Sequence, residues 1–486
     1  MAQEGLLRAA TGLIQASSIK AIKPLKSRQV IGPAPPQPTA LTSQPLRITI
    51  MEKPTLILTP LKSAVPDMGG YLDLLVRVQA PDMPEGAEQK HNPKRLALVV
   101  DRSGSMEGQP LREALRCVVH IAKHMTPQDQ MSLVVYDDTV NVLVPLQKMS
   151  SVSIIEDAVH QVFSGGSTDL FAGWLEGARQ LEGGNDNAIS RVLLLSDGQA
   201  NHGETNISAI EAQCKHWYAK GVSTTTVGLG RGFNEELMIA MASAGGGQQY
   251  YGQTAEDLYD NFDEELSLLK AMYLRQINIK FLTAPGVIVE VLGLTKKNDD
   301  GTYRMNDLAF GAESWVAVRC HLSPSALGTP KDILAVSIKA TNLDGIALEH
   351  SSPVLQLPVI DSLSYQRLQD EMVKRRLLEV EFGVAAHELR KLAKKGNRRA
   401  TLKKLDEMEN RFGEHAWLKA KMAQLHRLAE VDMDMMMKEA SFSSMKMSGR
   451  LASKSETLYM GDETDSLMPA FLRKKESEGR GRKNES

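Results

Sequence analysis

Five oxygen-bearing side chains on three short segments are the part of this sequence best suited to chemistry. Asp101-Arg-Ser103-Gly-Ser105 sets a carboxylate and two hydroxyls at alternating positions directly after the apolar run Leu96-Ala-Leu-Val-Val100, which reads as a buried strand. Gly165-Gly-Ser-Thr168-Asp169 offers another hydroxyl, and Leu193-Leu-Leu-Ser-Asp197-Gly198 is a second apolar run that ends in an acid. Hard oxygen donors select hard cations. Asp101, Ser103, Ser105, Thr168 and Asp197 are therefore the candidate ligands of Mg²⁺, with Mn²⁺ or Ca²⁺ as substitutes. Loops that follow apolar strands meet at the carboxyl edge of an open parallel sheet, which is where such a site forms.

The order D-x-S-x-S, then Thr, then Asp-Gly after a strand resembles the von Willebrand factor A (VWA) family and its metal-ion-dependent adhesion site, over about residues 93 to 268. A short Ser/Asp run alone is common in turns; the pattern gains its weight from three segments in the right order, with every ligand position filled. The resemblance implies that Ser103, Ser105 and Thr168 reach the metal directly and that Asp101 and Asp197 act directly or through water. A shell rich in neutral hydroxyls leaves Mg²⁺ short of one oxygen, and a partner's Asp or Glu carboxylate can supply it. Cytoplasmic bacterial members of the family work beside AAA+ ATPases or with kinase and phosphatase partners, so the resemblance implies a class of partner.

The elements that must position these loops follow from the hydrophobic pattern. Between 93 and 270, strand-like runs at 96–100, 131–136, 191–195 and 222–228 alternate with helical stretches at 110–124, 153–162, 170–182, 206–219, 234–243 and 255–269, with Val140–Val144 as a hairpin partner of the second strand. Continuous apolar strands alternating with helices mean a Rossmann-like, doubly wound, mainly parallel α/β sheet covered on both faces. The flanks differ. Arg47–Ile50, Leu56–Thr59 and Tyr71–Val78 in segment 46–92, and Ile277–Phe281, Val287–Val291, Ser314–Cys320 and Ile333–Lys339 in segment 271–360, read as strands. Neither set fills a β-sandwich alone, so the expectation is one sandwich into which the metal-site domain is inserted. Residues 361–432 keep helical spacing, with breaks at Gly396-Asn397 and Gly413, and predict a helical hairpin or bundle.

The 486 residues suffice for several cores at 42% hydrophobic content, while a net charge of -2 and 5% aromatics argue against a nucleic-acid surface. Three cysteines, Cys117, Cys214 and Cys320, lie far apart and read as reduced, buried residues of a protein in a reducing compartment. No apolar run has the length of a membrane span. Residues 1–45 read as a flexible extension, basic and acid-poor at its start, so organelle targeting stays open while a compact secretory core is missing. Residues 433–486 are expected to be a disordered, Met- and Ser-rich tail. Within it, Asp465–Lys475 resembles the C-terminal docking peptide of the bacterial tubulin-like division protein, with Leu467, Phe471, Leu472 and Arg473 as the partner-binding residues.

The sequence thus predicts a cytoplasmic, Mg²⁺-dependent protein-interaction adaptor and not an enzyme. A Mg²⁺-dependent phosphohydrolase is weakened by Ser103 at the position where a dehalogenase-type site carries its second Asp, and no phosphate-cradling, zinc-protease or nucleophile-elbow motif occurs. A secreted or surface adhesin is the other alternative.

Overall fold

A computed structural model describes residues 52–82, 93–184, 188–197, 200–229, 233–252, 254–295, 297–365, 369–448 and 451–453. The expected strand at Arg47–Ile50, Gly198 of the third loop, and Leu467, Phe471, Leu472 and Arg473 lie outside these described residues.

The metal-site segment forms a six-stranded sheet in the order Val140–Lys148, Gln130–Tyr136, Lys94–Asp101, Ile189–Ser196, Val222–Leu229, Gly246–Gly252. All neighbours pair in parallel except the outermost, Val140–Lys148, which returns antiparallel as a hairpin partner. Alternation along Lys94–Asp101 decides what covers each face. Leu96, Leu98 and Val100 pack with Leu111, Cys117 and Ile121 of helix Gln109–Lys123. Ala97 and Val99 pack with Trp174 of helix Leu170–Gln180 and Cys214 of helix Ile207–Ala219. Helix Leu170–Gln180 approaches closely because two of its positions carry no Cβ: one built on Gly173 would lie 2.3 Å from the Tyr136 ring, and one on Gly177 2.3 Å from Val99 Cγ2.

The chain leaves strand Lys94–Asp101 toward Gln130–Tyr136 on one side and later returns to Ile189–Ser196 on the other. The winding direction reverses between these two strands, and the crevice beyond their carboxyl ends is where open α/β sheets bind ligands.

The flanking strands share two further sheets. In one, Thr55–Pro60, Gly70–Gln79, Ala312–Leu322 and Val287–Val291 lie side by side, all antiparallel. Gly70–Gln79 pairs with Ala312–Leu322 over ten residues, from Gln79↔Glu313 to Gly70↔Leu322. In the other, Met272–Thr283, Pro330–Asn342 and Leu355–Ile360 are the main strands, with Val65–Pro66 at its edge. The α/β domain is thus inserted between Gly70–Gln79 and Met272–Thr283, and strands from both sides of the insertion hydrogen-bond to one another. Leu355–Ile360 and Ala347–Ser351 went unread in the sequence because the first contains Pro358 and the second, Ala-Leu-Glu-His-Ser, carries no β-branched or aromatic residue.

Helices Glu371–Lys394, Arg398–Phe412 and Ala416–Val431 follow, joined at the expected breaks. Val373, Leu377 and Val380 cover Leu75, Trp315 and Ala317 on one sheet face. The disordered tail expected from Met433 is corrected here. Met433–Ser448 is a fourth helix, and Met436 and Ala440 are fully buried with Leu389, Leu405 and Leu425. Asp432 starts it by accepting the N–H groups of Asp434 and Met435 at 3.1 and 3.0 Å. A strand, Leu451–Ser453, then pairs with Ala312–Ser314. Met436 is core packing there, and Met433 and Met437 pack against the same cluster.

All three cysteines are free and buried, and burial pushes the Cys117 and Cys320 thiols up to about 12. Neutral-pH labelling with a small thiol reagent is expected to modify none of them in the native protein and all three after denaturation. Rapid native labelling of any one would show that its core opens readily.

Candidate metal site

Asp101 ends its strand inside the protein, with none of its surface exposed. One carboxylate oxygen, Oδ1, accepts the Ser103 N–H at 2.9 Å and so folds the D-x-S turn back on itself. The other, Oδ2, accepts the hydroxyls of Ser196 at 2.6 Å and Tyr136 at 3.3 Å, from the ends of the two neighbouring strands. The turn carries Ser103 and Ser105 onto one side, their hydroxyl oxygens 3.2 Å apart, Ser103 buried and Ser105 exposed.

The second loop is sewn to the first through its backbone. Gly165 N–H donates to Arg102 C=O at 2.8 Å and Gly104 N–H to Gly166 C=O at 3.1 Å. Gly166 holds φ at +66°, and a Cβ there would meet Asp138 Oδ1 at 2.6 Å, so only glycine fits the seam. Arg102 pairs with Asp137 at 3.0 Å, and Asp137 C=O accepts the Asp169 N–H at 2.8 Å. Asp169 then caps helix Leu170–Gln180 by accepting the Ala172 N–H. Thr168, buried at 1% exposure, is held from the other side: its N–H donates to Asn201 Oδ1 at 2.8 Å, and its C=O accepts the N–H groups of Asn201 and His202.

Asp197 follows strand Ile189–Ser196 and is buried at 6% exposure. Its C=O accepts the Asn234 N–H at 3.1 Å. Burial holds the Asp101 carboxyl above its ordinary value and the Asp197 charge raises it further; hydrogen bonds from Ser103 and Ser196 oppose this without cancelling it.

The residues fit a hard divalent cation on two counts. Adjacent ligands of an octahedral Mg²⁺ stand about 3 Å apart, close to the 3.2 Å between the Ser103 and Ser105 hydroxyls. A cation also offsets the cost of two buried carboxylates at the ends of neighbouring strands. Ser103, Ser105 and Thr168 would hold it as neutral donors, with Asp101 and Asp197 supplying the charge.

Sequence reasoning missed Tyr136, Ser196, Asn201 and the Arg102–Asp137 pair. None has a motif of its own. The only available signal was their placement at the ends of apolar strands, or, for Asn201, just beyond the third loop.

Residues 96–265 match the von Willebrand factor type A domain. The chain carries a VWA domain at the core of a larger α/β architecture with mixed sheets and a helical C-terminal region. Among solved structures, a von Willebrand factor type A protein from Catenulispora acidiphila aligns with a TM-score of 0.65 at 14% identity, covering 82% of this chain and 97% of that one. The ArnB paralog VWA2 from Sulfolobus acidocaldarius aligns with a TM-score of 0.53 at 14% identity, covering 82% and 99%. At such identity the likeness establishes the fold alone, and it extends well beyond the metal-site domain. Curated relatives include an uncharacterized protein of Synechocystis sp., 23% identical over 46% of this chain and 50% of that protein. Inter alpha-trypsin inhibitor heavy chain 4 of Mus musculus is 26% identical over 36% of this chain and 19% of its own length. The chain therefore spans half or less of the curated relatives it matches.

Proposed function

We propose that this protein is a Mg²⁺-dependent protein-interaction adaptor. The cation sits on Ser103, Ser105 and Thr168, with Asp101 and Asp197 behind them, and engages a carboxylate of a protein partner. The observation that carries this reading is the pair of hydroxyls 3.2 Å apart at the switch point of the sheet, one buried and one open to solvent. Such a pair can grip a cation from one side and leave the other side to a ligand. The VWA domain supports a protein partner, and AAA+ ATPases, kinases or phosphatases are the partner classes that the resemblance suggests. The donor set favours binding over phosphate-ester turnover, since the position two residues after Asp101 is a neutral serine where a dehalogenase-type site carries its second acid. Three buried thiols suit a reducing compartment, and we assign the protein to the cytoplasm. Among the described residues no helix is long and apolar enough to cross a membrane.

The test is capture of partners by wild-type protein and by a folded Asp101→Ala/Ser103→Ala variant, each in Mg²⁺ and in EDTA. A partner retained only by wild type in Mg²⁺ is the expected result. A partner set indifferent to both the substitutions and the chelator would overturn the proposal.

A further inference from the structure

A second group of metal-ligating side chains lies on the same domain, formed by different elements. Helix Gln109–Lys123 carries His120, and His124 caps its C-terminus one turn later. Residues four apart on a helix face the same way, and the two rings stand 4.6 Å apart. Facing them is Asp263 of helix Ala255–Lys270, its Oδ1 2.8 Å from His120 Nε2 and 3.7 Å from His124 Nε2. One ligand atom from each of the three residues falls within 4.8 Å of the others.

Both imidazoles are already oriented. His124 Nδ1 lies 2.9 Å from the His120 carbonyl, which can only accept, so Nδ1 carries a proton, and in the neutral ring Nε2 presents its lone pair. This is the arrangement by which metal-binding histidines are usually fixed. The His120 ring stacks on Tyr259 at 4.1 Å and 13° between planes, which sets its rotation toward Asp263. Side-chain exposure of 19%, 47% and 49% for His120, His124 and Asp263 leaves the group accessible to an ion from solution.

We infer that His120, His124 and Asp263 form a Zn²⁺ site. Two imidazoles and one carboxylate suit Zn²⁺, whereas Mg²⁺ takes oxygen donors, so ligand chemistry alone separates this site from the Asp101 loop. Three protein ligands leave a fourth position for water or a donor from outside the chain. On binding, the ion takes the place of the proton between His120 Nε2 and Asp263 Oδ1: a neutral His120 carries that proton on Nδ1 instead, and a charged one releases one proton to solvent. The occupied site staples the end of the helix that follows the Ser103–Ser105 loop to the last helix of the domain.

The test is a Zn²⁺ titration of the full chain in excess Mg²⁺, read against a chromophoric chelator. Wild type is expected to bind one Zn²⁺ that Mg²⁺ does not displace. His124→Ala and Asp263→Asn, both at partly exposed positions, are each expected to weaken that binding about 100-fold, since losing a ligand costs at least as much as losing a ligand's hydrogen-bond partner. Asp101→Ala/Ser103→Ala is expected to keep the Zn²⁺ equivalent, which separates this inference from the fate of the Mg²⁺ site. Absence of a Mg²⁺-resistant equivalent, or affinity unchanged in both single variants, would overturn it.

Discussion

Asp101→Asn is expected to melt at a higher temperature than wild type when divalent cations are absent, and at a lower one when Mg²⁺ is saturating. The first half follows from the hydrogen bonds. Asp101 is fully buried and accepts from Ser103 N–H on one oxygen and from Ser196 and Tyr136 on the other. An amide keeps the first bond through its oxygen and can donate to the two hydroxyls, whose oxygens also accept. It removes a buried negative charge that burial and Asp197 both disfavour. The pH dependence follows in sign. A carboxyl whose folded pKa is raised destabilises the fold when ionised, and that penalty fades as pH falls through the folded pKa toward the ordinary value of about 3.9. The cation-free advantage of the amide is therefore largest at neutral pH and vanishes in acid. The second half follows from linkage. At a Mg²⁺ concentration of about 100 Kd, wild type gains about 2.7 kcal/mol, and the amide forfeits the charge that earns it. Calorimetric melts with EDTA and with Mg²⁺ read both halves. An unchanged order in the two buffers would remove Asp101 from any cation site.

Glu265→Ala is expected to cost about 4 kcal/mol of stability, with Glu265→Gln costing less. Glu265 is 1% exposed on helix Ala255–Lys270. It accepts from Arg191, from Thr225 Oγ1 at 2.8 Å and from Tyr250 OH at 3.0 Å, residues of three successive strands. Arg191 also donates to Ser223 at 2.8 Å and lies 3.8 Å from Asp307, which precedes a short strand paired with Met272–Thr283. Alanine leaves the buried guanidinium with the Ser223 hydroxyl and the more distant Asp307 carboxylate, and a buried charge stripped of its main partner is expensive. Urea unfolding of the two variants measures the loss. A cost under about 1 kcal/mol would show that Asp307 suffices as the counter-ion.

The parts legible in the sequence are those where the physics is local. Leu96–Val100 and Val192–Leu195 are continuous apolar runs because both of their faces are covered, and Asp101 and Asp197 follow such runs. What stayed hidden depends on distant chain. Tyr136 and Ser196 reach Asp101 across 35 and 95 residues. Asn201 fixes Thr168 across 33, and nothing about an isolated asparagine marks it for that task. The helix at Met433–Ser448 was obscured by its composition. Serines and methionines give a weak apolar stripe, and Glu439, a residue normally read as solvent-facing, is buried there against Tyr251 and Lys421. Burial of that carboxylate is set by partners far away in sequence.

The insertion of the metal-site domain has a mechanical consequence. A domain joined to its neighbour by one covalent link can swivel about it. This one is joined by two, and at the second only Ala271 separates helix Ala255–Lys270 from strand Met272–Thr283. A partner tugging at the Ser103–Ser105 edge therefore loads two strands of the β region together. The first, Gly70–Gln79, is bonded to neighbours on both sides, Thr55–Pro60 and Ala312–Leu322. Tension along a strand bonded on both sides shears many hydrogen bonds at once instead of peeling them singly. On the proposed function, the β region would pass a grip on the cation to the rest of the chain through two strands at once.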